Sequence, residues 1–265
     1  MPRLSAMSAA AASLLLGAAM SILPQASTPA AAQTKDTLTI AISQFPNNFN
    51  PLIGSMVARS YILGMTRRPI TAFDAEWNAI CMLCTELPDL DKGTAKFETT
   101  ADGKPGIAIT YTLKPGLEWG DGTPITTKDV KFTWEVGRNK KSGTSNQELF
   151  SRIAAVDVKD DRTFTFHMTK RTCDYNTIND FHLLPEHIER KNFANPEEYI
   201  NRTAYDTDTT NPGLWYGPYL IKQVVSGSHV VLELNPRWTG KKPAFKRIVV
   251  RAIENTGAMT ANLLS

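Results

Sequence analysis

An α/β fold of mixed sheets and hairpins is what this sequence predicts, and three features carry that expectation. "DTLTIAIS", Asp36 to Ser43, alternates apolar and polar residues, and a turn-rich loop and an apolar helical stripe follow it. "RIAAVDVKDDRTFTFHM" and "PYLIKQVVSGSHVVLELN" each hold two alternating runs around a polar turn, the pattern of a hairpin. "TTKDVKFTWE" opens on threonines that can cap a helix.

The elements follow in order. Leu38, Ile40 and Ile42 share one face of the first strand. "QFPNNFNP" is rich in turn formers, and "MVARSYILGMTRR", Met56 to Arg68, reads as a helix ending on two arginines. "RPITAFDAEWN" reads as a short strand and turn. Asp102-Gly103 is a hairpin turn before the strand in "GIAITYTLKPG", Gly106 to Gly116. Pro115-Gly116 and Gly120-Asp121-Gly122 are turns around Trp119, which reads as a core residue. Thr126 or Thr127 caps the next helix, and Asp129 in its first turn suits the helix dipole. Val130, Phe132, Trp134 and Val136 do not share a face, so this helix is expected to be packed on more than one side. In the first hairpin Val156 and Val158 lead to Asp160-Asp161, and Phe164, Phe166 and Met168 return. "LLPEHIERKNFANPEEYINR" predicts short helices broken by prolines. The second hairpin, Pro218 to Asn235, turns at Ser226-Gly227, and "AFKRIVVRAI" is a further strand. "TGAMTANLLS" starts a helix at which the chain stops, which reads as a truncated sequence.

Composition bounds the function. The chain has 265 residues, 42% hydrophobic, and a net charge of +3, too balanced for a nucleic-acid footprint. The densest basic stretch, "GRNKK", Gly137 to Lys141, fits a helix C-terminus. At the start, Arg3, the apolar run Ala9 to Leu23 and Ala30-Ala31-Ala32 form a signal-peptide pattern, residues 1–32, with a mature start near Gln33. An exported, soluble, periplasmic protein is the expectation. In an oxidising compartment Cys81 and Cys84 of "CMLC" either close a small disulfide loop or remain two half-buried thiols. A zinc site wants a second pair, and a thioredoxin-type site wants a preceding βαβ pattern. No Gly-x-Ser-x-Gly is present, and His167, His182, His187 and His229 make no zinc-helix pair. No catalytic residue, no enzyme activity and no cofactor are therefore expected.

One stretch is more specific. "YTLKPGLEWGDGTPITTKDVKFTWE" resembles the signature of the family 5 extracellular solute-binding proteins of ABC importers, at Tyr111, Leu113, Pro115, Gly116, Trp119, Asp121, Gly122, Pro124, Asp129, Val130, Phe132 and Thr133. "FNP" at Phe49 to Pro51, Pro185 and His187 of "LLPEHI", and the "YGPY" hairpin with its Asn-Pro turn agree with it, in order, over residues 36–265. "GLWYGPY" departs from the family's smaller residues before Gly-Pro-Tyr, and "CMLCTELPDLDKGTAKF" from its usual segment, which bears on the ligand rather than the fold.

The resemblance implies a periplasmic-binding-protein-like fold, type II, cluster C, with the second lobe largely missing. It implies a first lobe from residues 33–74 and 171–265, with a subdomain inserted at about 75–170. It implies a binding component that closes on a peptide or similar small solute and delivers it to ABC permease subunits, with no nucleic-acid partner. A nickel receptor of the same family is the alternative, with His182 or His187 as candidate ligands, and a secreted hydrolase is a remoter one. Loops leaving strands supply the candidate ligand-binding residues. Gln44, Phe45, Asn47 and Asn48 offer an aromatic face and amides, or else form an ordinary turn. Trp215 and Tyr216 either wall the cleft or pack beneath the hairpin.

Overall fold

The computed structural model describes residues 36–264. The expected signal segment lies outside them. In chain order come β1 (Thr37–Ile42), α1 (Val57–Thr66), β2 (Thr71–Phe73), β3 (Ala79–Cys81), β4 (Ala95–Thr99), β5 (Pro105–Thr112), α2 (Thr127–Arg138), α3 (Gln147–Ser151), β6 (Ile153–Val158) and β7 (Thr163–Met168). Then follow α4 (Glu186–Asn192), α5 (Tyr199–Arg202), α6 (Ala204–Thr207), β8 (Tyr219–Val225), β9 (His229–Leu234), β10 (Arg247–Ala252) and α7 (Thr256–Leu264).

One sheet has the order β1-β10-β9-β8, another β4-β5-β7-β6, and β2 and β3 pair separately. The expected hairpins are there, as β6-β7 and β8-β9, both antiparallel. β1 runs parallel to β10, with Leu38 opposite Ile248 and Ile40 opposite Val250. Parallel neighbours cannot be joined by a tight turn, so the whole intervening chain forms the crossover.

The alternation read from the sequence sets which faces are inside. Ile107, Ile109 and Tyr111 of β5 are buried with Phe164 and Phe166 of β7. Across that pair Tyr111 stacks on Phe164 with ring centroids 5.8 Å apart. α2 is packed on several sides, as its mixed apolar positions require. Val130, Phe132 and Val136 are fully buried. On another side Trp134 Nε1 donates to Ile153 O at 2.9 Å, and Arg138 lies over the indole.

Thr126 is the cap of α2, and Asp129 completes a capping box with it. Asp129 holds the first-turn position expected of it, and it is buried there. One oxygen accepts from Thr126 N and the other from Glu186 N, both at 2.9 Å. A single carboxylate thus satisfies donors at the starts of α2 and α4. Burial pushes its pKa up to about 6 against those bonds.

The Trp-Gly-Asp-Gly stretch is a clasp. Trp119 is fully buried, edge-on to Tyr216 at 4.7 Å. Gly120 N donates to Trp215 O at 2.8 Å, and a Cβ on Gly120 would sit 2.6 Å from Pro212 O. Only glycine permits that approach. Asp121 accepts from Thr123 N at 2.9 Å and pairs with His187 Nε2 at 3.0 Å. Three distant segments are locked together at one turn.

Candidate functional site

The loop after β1 is held from beneath. Asn50 is fully buried; its amide nitrogen donates to Thr203 Oγ1 at 2.8 Å and Tyr199 Oη at 3.2 Å, and its Oδ1 accepts from Leu52 N. Phe49 N donates to Asp206 Oδ1 at 2.8 Å. Arg59, on the buried face of α1, gives its guanidinium to Asn48 Oδ1 and to the carbonyls of Asn50, Ile53 and Gly54. Burial lowers the Arg59 pKa and raises that of Asp206, whose charges oppose those shifts by attracting each other.

With residues 48–54 pinned, the loop's first residues are free to face outward. Ser43, Gln44 and Phe45 line an open hollow with Met56 and Glu254. The hollow lies just beyond the carboxyl ends of the parallel strands β1 and β10, where open α/β sheets generally take their ligands. Gln44 and Asn47 are exposed, while Phe45 and Asn48 are half-buried. The structure therefore brings Gln44 and Phe45 into one hollow. Asn48 and Asn47 are bonded to each other beside it, with Nδ2 to Oδ1 at 3.2 Å.

Trp215 and Tyr216 lie elsewhere. They are 0% and 4% exposed. Trp215 Nε1 donates to Thr209 O at 2.9 Å and its ring meets Tyr205 edge-on. The Tyr216 hydroxyl accepts from Leu183 N at 3.1 Å. Their polar atoms and faces are used within the core, which is the packing alternative. A more enclosed cavity of about 210 Å³ is floored by Ile107, Ile109 and Met168 and touches none of the candidate residues.

Cys81 and Cys84 are joined in a disulfide at the end of β3, and Cys173 is free and exposed. Among the described residues no cluster of three or more His, Cys, Asp or Glu is placed to hold a metal ion. His187 is engaged by Asp121, and His182 sits in a separate environment close to Arg67 and Arg59. Sequence reasoning missed Met56, Glu254 and Arg59. An arginine inside the apolar stripe of a predicted helix was the available signal for the last.

The family profile described as bacterial extracellular solute-binding proteins, family 5 Middle, matches residues 94–265, well over half of the chain. A Brucella ovis protein named as a putative ABC transporter peptide-binding protein is 27% identical over 223 residues, which are 83% of this chain and 38% of that protein. The oligopeptide-binding protein from Thermus thermophilus, complexed with a pentapeptide, superposes with a TM-score of 0.74 at 25% identity. That match covers 86% of this chain and 43% of the other. NikZ from Campylobacter jejuni, in complex with Ni(L-His), matches in fold with a TM-score of 0.67 at 21% identity over 86% of this chain and 41% of that one. The chain thus spans about two fifths of the length of these relatives.

Proposed function

Because the chain belongs to the family 5 bacterial extracellular solute-binding proteins, we propose that it acts as the extracytoplasmic receptor of an ABC importer, binding a peptide or similar small solute and passing it to the permease without altering it. The observation that carries this reading is the hollow at the carboxyl ends of β1 and β10. Its loop is fixed by Arg59, Asn50 and Asp206, while Gln44 and Phe45 face outward. Such an arrangement supplies a preformed apolar face and amide groups that replace the water of a solute. Residues 33–74 and 171–265 would form the lobe that carries the hollow, with about 75–170 as a subdomain inserted in it. Residues 1–32 would direct export to the periplasm.

The test is mass spectrometry of what co-purifies with the protein from a periplasmic extract. Peptides are the expected finding. Nickel with a small chelator would replace the peptide reading by the metal-receptor one. Turnover of a substrate by the purified chain, abolished by one side-chain change, would end the receptor reading.

A further inference from the structure

Arg67 is a half-buried cation that makes no ion pair among the described residues, although the charge of Asp180 acts on it from further off. It ends α1, where its amide donates to Leu63 O at 3.1 Å. Its Nη1 is buried with no protein partner among the described residues, and no carboxylate there lies within ion-pair distance of it. Arg59, two turns earlier, has a similar side chain in the opposite situation, with its guanidinium bonded to oxygens of the 48–54 loop. Burial brings the Arg67 pKa down to about 10.

His182 has the complementary anomaly. Its Nδ1 is also buried without a partner. Burial first, and then the cations Arg67 and Arg59, hold its pKa well below 6.5, so the ring is neutral at pH 7. Tyr216 ties the two places together. Its amide donates to Thr66 O, just before Arg67, and its hydroxyl accepts from Leu183 N, just after His182, each at 3.1 Å. Gly217 completes the junction, because a Cβ there would lie 2.5 Å from Arg67 N.

A buried side-chain nitrogen without a hydrogen-bond partner is costly, and in proteins such groups are otherwise satisfied. We propose that Arg67 and His182 together form an anion-recognition site for the carboxylate of a bound solute, with Arg67 Nη1 and the His182 Nδ1–H tautomer as donors. This rests on the receptor reading above and narrows the solute to one bearing a free carboxylate. A guanidinium presents donors that match a carboxylate, and a neutral imidazole can carry its proton on Nδ1.

Thermal unfolding of the whole chain tests it, with sodium acetate, sodium chloride at matched ionic strength, tri-alanine and tri-alanine amide as probes. Acetate and tri-alanine are expected to raise Tm above chloride, and the amide is not. Arg67→Met removes an unpaired charge, so it is expected to fold and to lose both shifts. No shift with either carboxylate, or a shift that survives in Arg67→Met, overturns the inference. A response to acetate alone overturns the assignment to a solute and leaves a free-anion site. If Arg67→Met does not fold, the ¹⁵N shifts of His182 in the natural chain decide, because acetate must move Nδ1 toward its protonated tautomer and an unmoved Nδ1 overturns the site. A co-purified solute without a carboxylate would likewise overturn it while leaving the receptor reading standing.

Discussion

Gly120 and Gly64 show how local surroundings decide what one methyl group does. At Gly120 a Cβ meets Pro212 O and Leu220 at 2.6 Å, whereas at Gly64, exposed on α1, it meets nothing within 4 Å. Gly120→Ala is expected to destabilise by about 2–3 kcal/mol through overpacking. Gly64→Ala is expected to stabilise by about 0.5–1 kcal/mol through helix propensity. Urea denaturation of both variants checks the opposite signs. Two histidines set opposite pH dependences. His182 has a folded pKa below 6.5, through burial and two neighbouring cations, so its contribution is present above pH 6.5 and lost as pH falls through that value. His167 is raised. Burial works against its proton, but bonds to Glu98 at 2.9 Å and Asp157 at 3.1 Å outweigh it. Its contribution is therefore full below pH 6.5 and lost as pH rises through the folded value. Denaturation midpoints across that range should show His167→Gln flattening the alkaline side only.

At the scale of elements, the start of α2 concentrates the most consequence in the fewest atoms. Thr126→Ala removes the cap and is expected to cost about 1 kcal/mol. Asp129→Ala is expected to cost more, because Glu186 N at the start of α4 is orphaned as well. Equilibrium denaturation of both variants checks the order, and equal losses would mean that the second bond contributes nothing. The elements were legible in the sequence where burial alternates. β7 shows a clean period-2 face, with Phe164 and Phe166 inside, whereas β8 and β9 are each buried at three consecutive residues and were legible from their turn and their apolar runs. β4 was not, because "AKFET" is an edge strand with one fully buried residue, Ala95. Trp215 and Tyr216 show the corresponding limit for the site. An aromatic on a loop has the same sequence signature whether it walls a cleft or fills a core, and only Thr209, Tyr205 and Leu183 decide between them. Asp129 and Asn50 were illegible as partners for a related reason: their bonds to Glu186, Tyr199 and Thr203 reach segments that the order of the chain does not bring near.

For the whole molecule, β10 is the strand on which one sheet depends, since it separates β1 from β9. A chain ending at Lys246 is expected to lose cooperative unfolding of that sheet, read as a lost near-ultraviolet circular dichroism transition. A chain ending at Asn255 keeps Glu254 and removes α7, whose described side chains from Thr256 to Ala261 are mostly exposed, and is expected to keep that transition. Equal behaviour of the two truncations would show that β1 finds its place without β10. The hollow beside Gln44 and Phe45 would then not depend on the strand that brings Glu254 to it.

The parallel pairing of the first strand with the last has a consequence for biosynthesis. A ribosome delivers β1 more than two hundred residues ahead of its mate, as the Lys246–Asp36 ion pair spanning 210 positions measures. Until that mate emerges, β1 has no parallel partner, so its sheet closes only after β10 has been made, whereas the β4-β5-β7-β6 sheet has all its strands by Met168.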